Sequence, residues 1–134
     1  MRSMVGLALV LLAFGAQAQE DESATPCDNV ETDPQAYECA LYSRQSAERE
    51  LTAAFNDQLD RIKEQYSGQP TQIAELSKRL RDAEAVWQQL RDADCKVETY
   101  AEKPGSTAFE VAQNTCLAQR SDDRSEYLQS LGLQ

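Results

Sequence analysis

Apolar residues recur at helical spacing over three long stretches of the chain, and no stretch alternates with the period of two that marks a strand. In the first stretch they lie three, four or six positions apart, at Tyr37, Leu41, Ala47, Leu51, Phe55, Leu59, Ile62 and Tyr66. The helix begins near Thr32, because Thr32 and Gln35 have the spacing of a capping box. Gly68, followed by Pro70, ends it. This first helix is expected to have about 34 residues and a length of roughly 50 Å.

The second stretch begins near Pro70 or Thr71 and fades at Tyr100. Its members alternate three and four positions apart, close to heptad spacing: Ile73, Leu76, Leu80, Ala83, Trp87, Leu90, Asp94 and Val97. Asp94 is the one polar member of this seam. A Lys-Pro-Gly turn at 103–105 follows the second helix. The first two helices are joined by the short turn at 68–69 and are expected to form an antiparallel hairpin.

A third helix is predicted after this turn, with a second capping box at Thr107 and Glu110. Its predicted face consists of Phe109, Ala112, Cys116, Gln119 or Arg120, Asp123, Tyr127 and Leu131, with Leu117, Arg124 and Leu128 beside it. The predicted fold is therefore all-α, a long antiparallel helical hairpin with a third packed helix, over residues 32–134.

Residues 1–18 have the organisation of a secretory signal peptide. Arg2 gives a positive start, Met4 to Phe14 is apolar, and Ala16 to Ala18 has the A-x-A form of a cleavage site. The apolar run is too short to span a membrane, which needs about 20 residues. We expect export to the periplasm or the medium and no membrane segment after cleavage. Residues 19–31 are expected to be a flexible, acidic N-terminus.

The acidic balance excludes some classes of partner. The whole chain has a net charge of −10, and without Arg2 the 23 acids face 12 of the 13 bases, which gives −11. Nucleic acids and anionic membranes are bound mainly through Lys and Arg, so neither is an expected partner. A cationic protein would be attracted by electrostatic steering, although acidity also serves solubility alone.

Four cysteines in a short exported chain indicate two disulfides. The favoured pairing is Cys27–Cys39, which clamps the N-terminal arm onto the first helix, with Cys95–Cys116 across the second turn. The alternative is Cys39–Cys95 with Cys27–Cys116. The chain has no histidine, and bridged cysteines leave neither a thiol nucleophile nor metal ligands, so no metal or cofactor is expected.

Trp87, the only tryptophan, lies one helical turn before Arg91. Folding the hairpin about residues 68–69 puts Glu48 level with residue 89, so Glu48 and Arg91 are predicted to form a partly buried pair beside Trp87. Trp and Arg are also favoured in binding hot spots, and we prefer the structural interpretation. The neighbouring carboxylates of the sequence, Asp92/Asp94 and Asp122/Asp123/Glu126, are expected by chance among 23 acids. No catalytic motif accompanies them, and an enzyme is not predicted.

These residues resemble the LprI-type lysozyme-inhibitor N-terminal domain, a family of small exported bacterial proteins. The resemblance is carried by a cysteine pair at 27 and 39, by Tyr42…Ala47-Glu48-x-x-Leu51-Thr52-x-x-Phe55, by Ala83-x-x-x-Trp87-x-x-x-Arg91-Asp92-x-x-Cys95, and by Cys116-Leu117…Ser121…Arg124…Leu128. It covers nearly the whole chain after residue 18. The sequence departs from the family pattern at four positions, which have Glu48 for Asp, Thr52 for Asn, Phe55 for Tyr and Ser121 for Thr.

The resemblance implies an exported, non-catalytic helical binding protein, with lysozyme inhibition as the expected activity and a cationic protein such as a lysozyme as the partner. The alternative is a structural or envelope-maintenance protein without lysozyme activity. A third possibility is an immunity-type partner of a toxin. The motif residues Glu48, Trp87, Arg91, Asp92 and Arg124 are expected to be structural rather than catalytic.

Overall fold

A computed structural model describes residues 24–132, which form three α-helices: α1 (Asp33–Gln65), α2 (Pro70–Glu98) and α3 (Thr107–Ser130). No strand occurs in this part of the chain, so the predicted all-α hairpin with a third packed helix is confirmed. The predicted signal peptide and the start of the acidic N-terminus lie outside the described residues. No helix within residues 24–132 is long and apolar enough to cross a membrane.

The helix ends follow the local sequence signals at all but one position. The Thr32 side chain accepts from the Gln35 N–H, and the Gln35 Oε1 accepts from the Thr32 N–H at 3.0 Å, which completes the predicted capping box. Gly68 has φ +82° in the turn between α1 and α2, a conformation that glycine adopts without strain.

The second predicted capping box is wrong by one residue. Ser106 is the N-cap of α3, and its Oγ accepts from the Phe109 N–H at 3.1 Å, while Thr107 is already helical. Serine caps a helix at least as well as threonine does. The preceding Gly105, at φ +80°, is followed by Ser106 in the extended conformation that a cap requires.

Of the three helices, α1 and α3 pack most closely, and they run parallel. Arg44 contacts Asn114 and Gln58 contacts Leu128, so the register is constant, with each pair 70 residues apart. Small buried residues on both helices permit the close approach, namely Ala40, Ala47 and Ala54 on α1 and Ala118, Ser121 and Ser125 on α3. The predicted α1–α2 hairpin is present, yet α3 fills the larger part of the α1 surface.

The apolar core is small and lies towards the end of the bundle that holds the α1–α2 turn. Its buried members are Leu51, Ala54, Leu59, Ile62, Leu80 and Leu128, with Phe55 and Trp87 among the half-buried side chains packed against it. A second cluster consists of Cys95, Cys116 and Leu117 at the other end. The polar and charged contacts described below connect the two clusters.

The seam predicted for α2 is correct only in its first half. Ala83, Leu90 and Val97 are exposed, whereas the buried positions of α2 are Ser77, Leu80, Glu84 and Cys95. The difference has a physical cause. The interior beside α2 contains charged side chains that have partners on other helices, and a search for apolar spacing does not find them.

The predicted face of α3 needs a similar correction in its C-terminal half. Asp123 and Tyr127 are exposed, while the buried residues there are Ser121, Ser125 and Leu128. This face of α3 packs closely against α1, and close packing requires small side chains. Asp123 and Tyr127 are larger and therefore lie outside it.

Both disulfides have the favoured pairing, which confirms that prediction. Cys27–Cys39 ties the N-terminal arm to the second turn of α1, and Cys95–Cys116 joins α2 to α3. Around Cys27 the chain makes a short turn in which the Asp28 carboxylate accepts from the Thr25 N–H at 2.7 Å.

Candidate functional site

Two guanidinium groups contact the half-buried ring of Trp87. The Cζ atoms of Arg91, from α2, and Arg124, from α3, are each 5.4 Å from the centroid of the indole ring. Arg124 also lies over the ring of Tyr127 at 4.9 Å. Cations at these distances are attracted by the negative face of an aromatic ring. The two arginines therefore fix the orientation of the only tryptophan.

The Arg91 guanidinium joins all three helices. Its Nη1 donates to Ser121 Oγ of α3 at 3.1 Å and to Glu48 Oε1 of α1 at 3.5 Å. Its Nε donates to Asp92 Oδ1 at 2.9 Å. The Arg91 side chain is 12% exposed and that of Glu48 is 35% exposed, so the cation is buried and its α1 partner is at the boundary with solvent. The structure thus brings together four motif residues, Glu48, Trp87, Arg91 and Asp92.

Glu84 and Arg124 form a second ion pair, which is more buried than the first. Arg124 Nε donates to Glu84 Oε2 at 2.9 Å, and the two side chains are 11% and 10% exposed. Arg124 is one of the predicted motif residues, whereas Glu84 is not. The register set by the Cys95–Cys116 bridge places Glu84 level with Tyr127, one turn from Arg124, and this signal was available in the sequence.

The polar contacts continue from the motif residues into α1 and α3. Arg44 Nε donates to Glu48 Oε1 at 3.2 Å, and Arg44 Nη1 donates to Asn114 Oδ1 at the same distance. Ser121, which accepts from Arg91, donates its own hydroxyl to the Leu117 carbonyl at 2.7 Å. The network thus runs from α3 through α1 and α2 back to α3, and it holds the three helices in one register.

A cleft of about 370 Å³ lies between α1 and α2 above this network. Its lining consists of Glu48, Leu51, Thr52, Phe55, Glu84, Gln88 and Arg91. The charged groups in it already have partners, since Glu48 pairs with two arginines and Glu84 with Arg124. The cleft therefore presents a neutralised surface rather than an unpaired acid or base.

A groove of about 530 Å³ between α1 and α3 has the opposite character. We call it the acidic groove, and its lining residues are Tyr42, Ser43, Ser46, Ala47, Glu50, Asp122, Ser125, Glu126 and Gln129. None of these residues is basic, and none comes from α2. Partial burial raises the pKa of Asp122, and repulsion by Glu50, Asp123 and Glu126 raises it further. The groove is therefore a site of concentrated negative potential.

Neither a metal site nor a free thiol occurs in the part of the chain that the structure describes. Residues 24–132 contain no group of three or more His, Cys, Asp or Glu side chains that could hold a metal ion. All cysteines of the chain are in disulfides, so none is a free nucleophile.

The fold and these contacts define a small, acidic three-helix protein with two disulfides and an interior Trp–Arg–Glu network. Comparison with known proteins agrees with this class. Residues 27–128 match the family described as lysozyme inhibitor LprI. The chain is also similar to a DUF1311 family protein from Pseudomonas putida KT2440 of known crystal structure, with 54% identity and a TM-score of 0.70 over 79% of this chain and 99% of that one. No curated protein matches the chain.

The chain belongs to the LprI family, as the resemblance of its motifs implied.

Proposed function

We propose that this protein is an exported, non-catalytic helical protein that binds a lysozyme and inhibits it. One observation carries the proposal, namely membership over residues 27–128 of a family described as lysozyme inhibitors. Export is supported by the two disulfides, because such bridges persist in oxidising compartments such as the periplasm.

The acidic groove is the surface that we assign to the lysozyme. Lysozymes are commonly basic, and a chain with a net charge of −10 attracts them over long range. Within the groove, partial burial raises the pKa of Asp122 most, and repulsion by the nearby carboxylates of Glu50 and Glu126 raises it further. A Lys or Arg side chain of the partner would relieve it on entering. The α1–α2 cleft offers no comparable attraction, because its charges are already paired.

The direct test measures the lysis of cell walls by several lysozyme types in the presence of the purified protein. We expect inhibition at low micromolar concentration or better, with an association rate that falls as salt screens the attraction. A double variant, Glu50→Gln with Glu126→Gln, should weaken inhibition by roughly tenfold, mainly through slower association. The matched control is Glu64→Gln with Glu102→Gln, which removes the same charge at two exposed positions outside the groove.

The outcomes separate the candidate functions. If both double variants inhibit lysozyme equally weakly, the attraction depends on net charge alone. The acidic groove is then not the binding surface. Absence of inhibition for every lysozyme type at low salt would overturn the proposal itself. That result would favour a structural or envelope-maintenance role without lysozyme activity.

A further inference from the structure

The cleft between α1 and α2 contains hydrogen-bond acceptors that the protein itself does not use. The Glu84 side chain is only 10% exposed, and its carboxylate accepts from Arg124 through Oε2. Within residues 24–132, no group donates to Glu84 Oε1 or to Oε2 of Glu48. The side-chain oxygens that are sealed from solvent without a partner belong to two glutamines instead. Glu84 Oε1 is therefore open to the cleft that its side chain lines.

The charges around these oxygens cancel. Three carboxylates and three guanidinium groups pair with one another, namely Glu48, Glu84, Asp92, Arg44, Arg91 and Arg124. A charged ligand would lose its hydration in the cleft without meeting an unpaired charge that compensates the loss. The cleft therefore favours a neutral ligand, although the chain as a whole is strongly acidic.

The ligand must also supply hydrogen-bond donors rather than acceptors. The Arg91 guanidinium lines the cleft, but it already donates to three side chains. The Thr52 hydroxyl donates to the Glu48 carbonyl at 2.8 Å, so its oxygen is left to accept. Gln88 is exposed and adds an amide, which can both donate and accept. A ligand rich in O–H groups matches this set better than a peptide backbone, in which donors and acceptors are equal in number.

Leu51 and Phe55 give the cleft an apolar part. Leu51 is buried in the core, and the half-buried Phe55 packs against the core while its ring also lines the cleft. A sugar ring combines O–H donors at its edge with C–H groups on its faces, and these faces pack on apolar and aromatic side chains. The volume of about 370 Å³ lies near the lower end of small-molecule sites. It is suitable for a ligand of one or two sugar rings.

We propose that the α1–α2 cleft binds a neutral sugar, whose hydroxyl groups donate to Glu84 Oε1 and Glu48 Oε2 and whose C–H face packs on Phe55. Gln88 contributes a further hydrogen bond from α2. The inference goes beyond the proposed function, because the cleft and the acidic groove have no lining residue in common. A ligand of this size in a small cleft binds weakly, and we expect a dissociation constant of about a millimolar.

Three sugars with the same ring test the expected neutrality of the ligand. Methyl glucoside is neutral, glucosamine is a cation in slightly acidic buffer, and glucuronate is an anion. Each is titrated into the isotope-labelled protein while the backbone amide shifts are recorded by NMR, at about 0.15 M salt to screen the attraction of cations by the whole chain. Methyl glucoside should shift the amides of residues 48–55 and 84–91. Both charged sugars should bind roughly fivefold more weakly or worse.

A pair of neighbouring glutamines provides a variant and its matched control. Gln88→Ala removes an amide from the cleft and should raise the dissociation constant of methyl glucoside roughly fivefold, which corresponds to one lost hydrogen bond. Gln89→Ala removes the same group from an exposed position of α2 outside the cleft and should bind as the wild type does. Both residues are exposed, so unchanged circular dichroism is expected for both variants.

Each outcome decides the proposal. Shifts at the cleft that weaken in Gln88→Ala alone support it. Absence of shifts at tens of millimolar methyl glucoside overturns it, as does a dissociation constant for Gln88→Ala no higher than that for Gln89→Ala. Tighter binding of glucosamine indicates a cation site, and tighter binding of the neutral peptide N-acetylalanine amide indicates a peptide site; either result overturns the sugar assignment. Lysozyme inhibition should be unchanged in Gln88→Ala, so the sugar site and the proposed function can fail independently.

Discussion

Removal of the Arg124 guanidinium would leave the Glu84 carboxylate without its partner in the interior of the bundle. Both side chains are about nine-tenths buried, and their charged atoms are 2.9 Å apart. Breaking a buried pair of this kind by removing one partner costs about 3 kcal/mol or more. The Arg124→Met variant also loses the contacts with the rings of Trp87 and Tyr127, each worth about 0.5 kcal/mol. We therefore expect a loss of about 4 kcal/mol.

The loss is large in relation to the whole stability of such a domain, which is about 5–15 kcal/mol. It should lower the melting temperature by roughly 15 °C, at about 4 °C per kcal/mol for a domain of this size. Urea unfolding followed by helical circular dichroism gives the free energy of unfolding. Trp87 fluorescence offers a second probe, because the only tryptophan lies within the network.

A double-mutant cycle separates the ion pair from the other losses. We expect Glu84→Gln and Arg124→Met to show a coupling energy of at least about 1.5 kcal/mol. The comparison cycle uses Glu48→Gln and Arg91→Met, at the longer 3.5 Å contact with a more exposed carboxylate. Its coupling should stay below about 1 kcal/mol, also because Arg91 keeps Ser121 and Asp92 as partners. Additive losses of stability for Glu84→Gln and Arg124→Met would show that the two side chains do not form a stabilising pair. A larger coupling energy for Glu48 and Arg91 than for Glu84 and Arg124 would contradict the expected effect of burial.

Two further predictions concern the disulfides and the acidic groove. Replacing Cys95 and Cys116 with alanine should lower the free energy of unfolding by more than about 3 kcal/mol, and by more than the same change at Cys27 and Cys39. The Cys95–Cys116 bridge closes the longer loop, with a sequence separation of 21 against 12 residues, and Cys95 is completely buried. Equal urea midpoints for the two double variants would contradict this prediction. The pKa of Asp122 is higher in the folded chain, so stability falls as pH rises through the window between the unfolded and folded values. Asp122→Asn should therefore raise the urea midpoint at neutral pH and lose this advantage below the ordinary carboxyl range. The control is Asp57→Asn, the same change at a position of α1 outside the acidic groove.

Most of the fold could be predicted from local signals, because those signals act over a few residues. The capping pattern at Thr32 and Gln35 and the glycine at 68 placed the ends of α1 to within about one turn. The antiparallel arrangement of α2 and α3 favoured Cys95–Cys116 over the alternative pairing, and the structure has that bridge. The α1–α2 register was also correct in outline, since Glu48 does contact Arg91.

The interior faces of α2 and α3 could not be predicted from apolar spacing. Leu90 and Val97 continue the pattern of Leu80 and Trp87, yet they are exposed on the outer face of α2 rather than packed in the core. Apolar spacing alone does not show which of these positions the bundle buries. The choice depends on Glu84, a charged residue that is buried only because Arg124 of another helix neutralises it. Such pairing is a property of the assembled bundle and not of any single helix.

The residues that place this chain in its family are those that hold its helices together. Trp87 is half-buried and the Arg91 side chain is nearly buried within the network. Cys95 is completely buried and forms the disulfide that joins α2 to α3. We infer that the motif specifies the register of three helices whose apolar core is too small to do so alone. The acidic groove, to which we assign the lysozyme, lies mostly outside the motif residues. A protein of this fold can therefore keep the motif while its groove changes, so the partner must be tested on the groove itself.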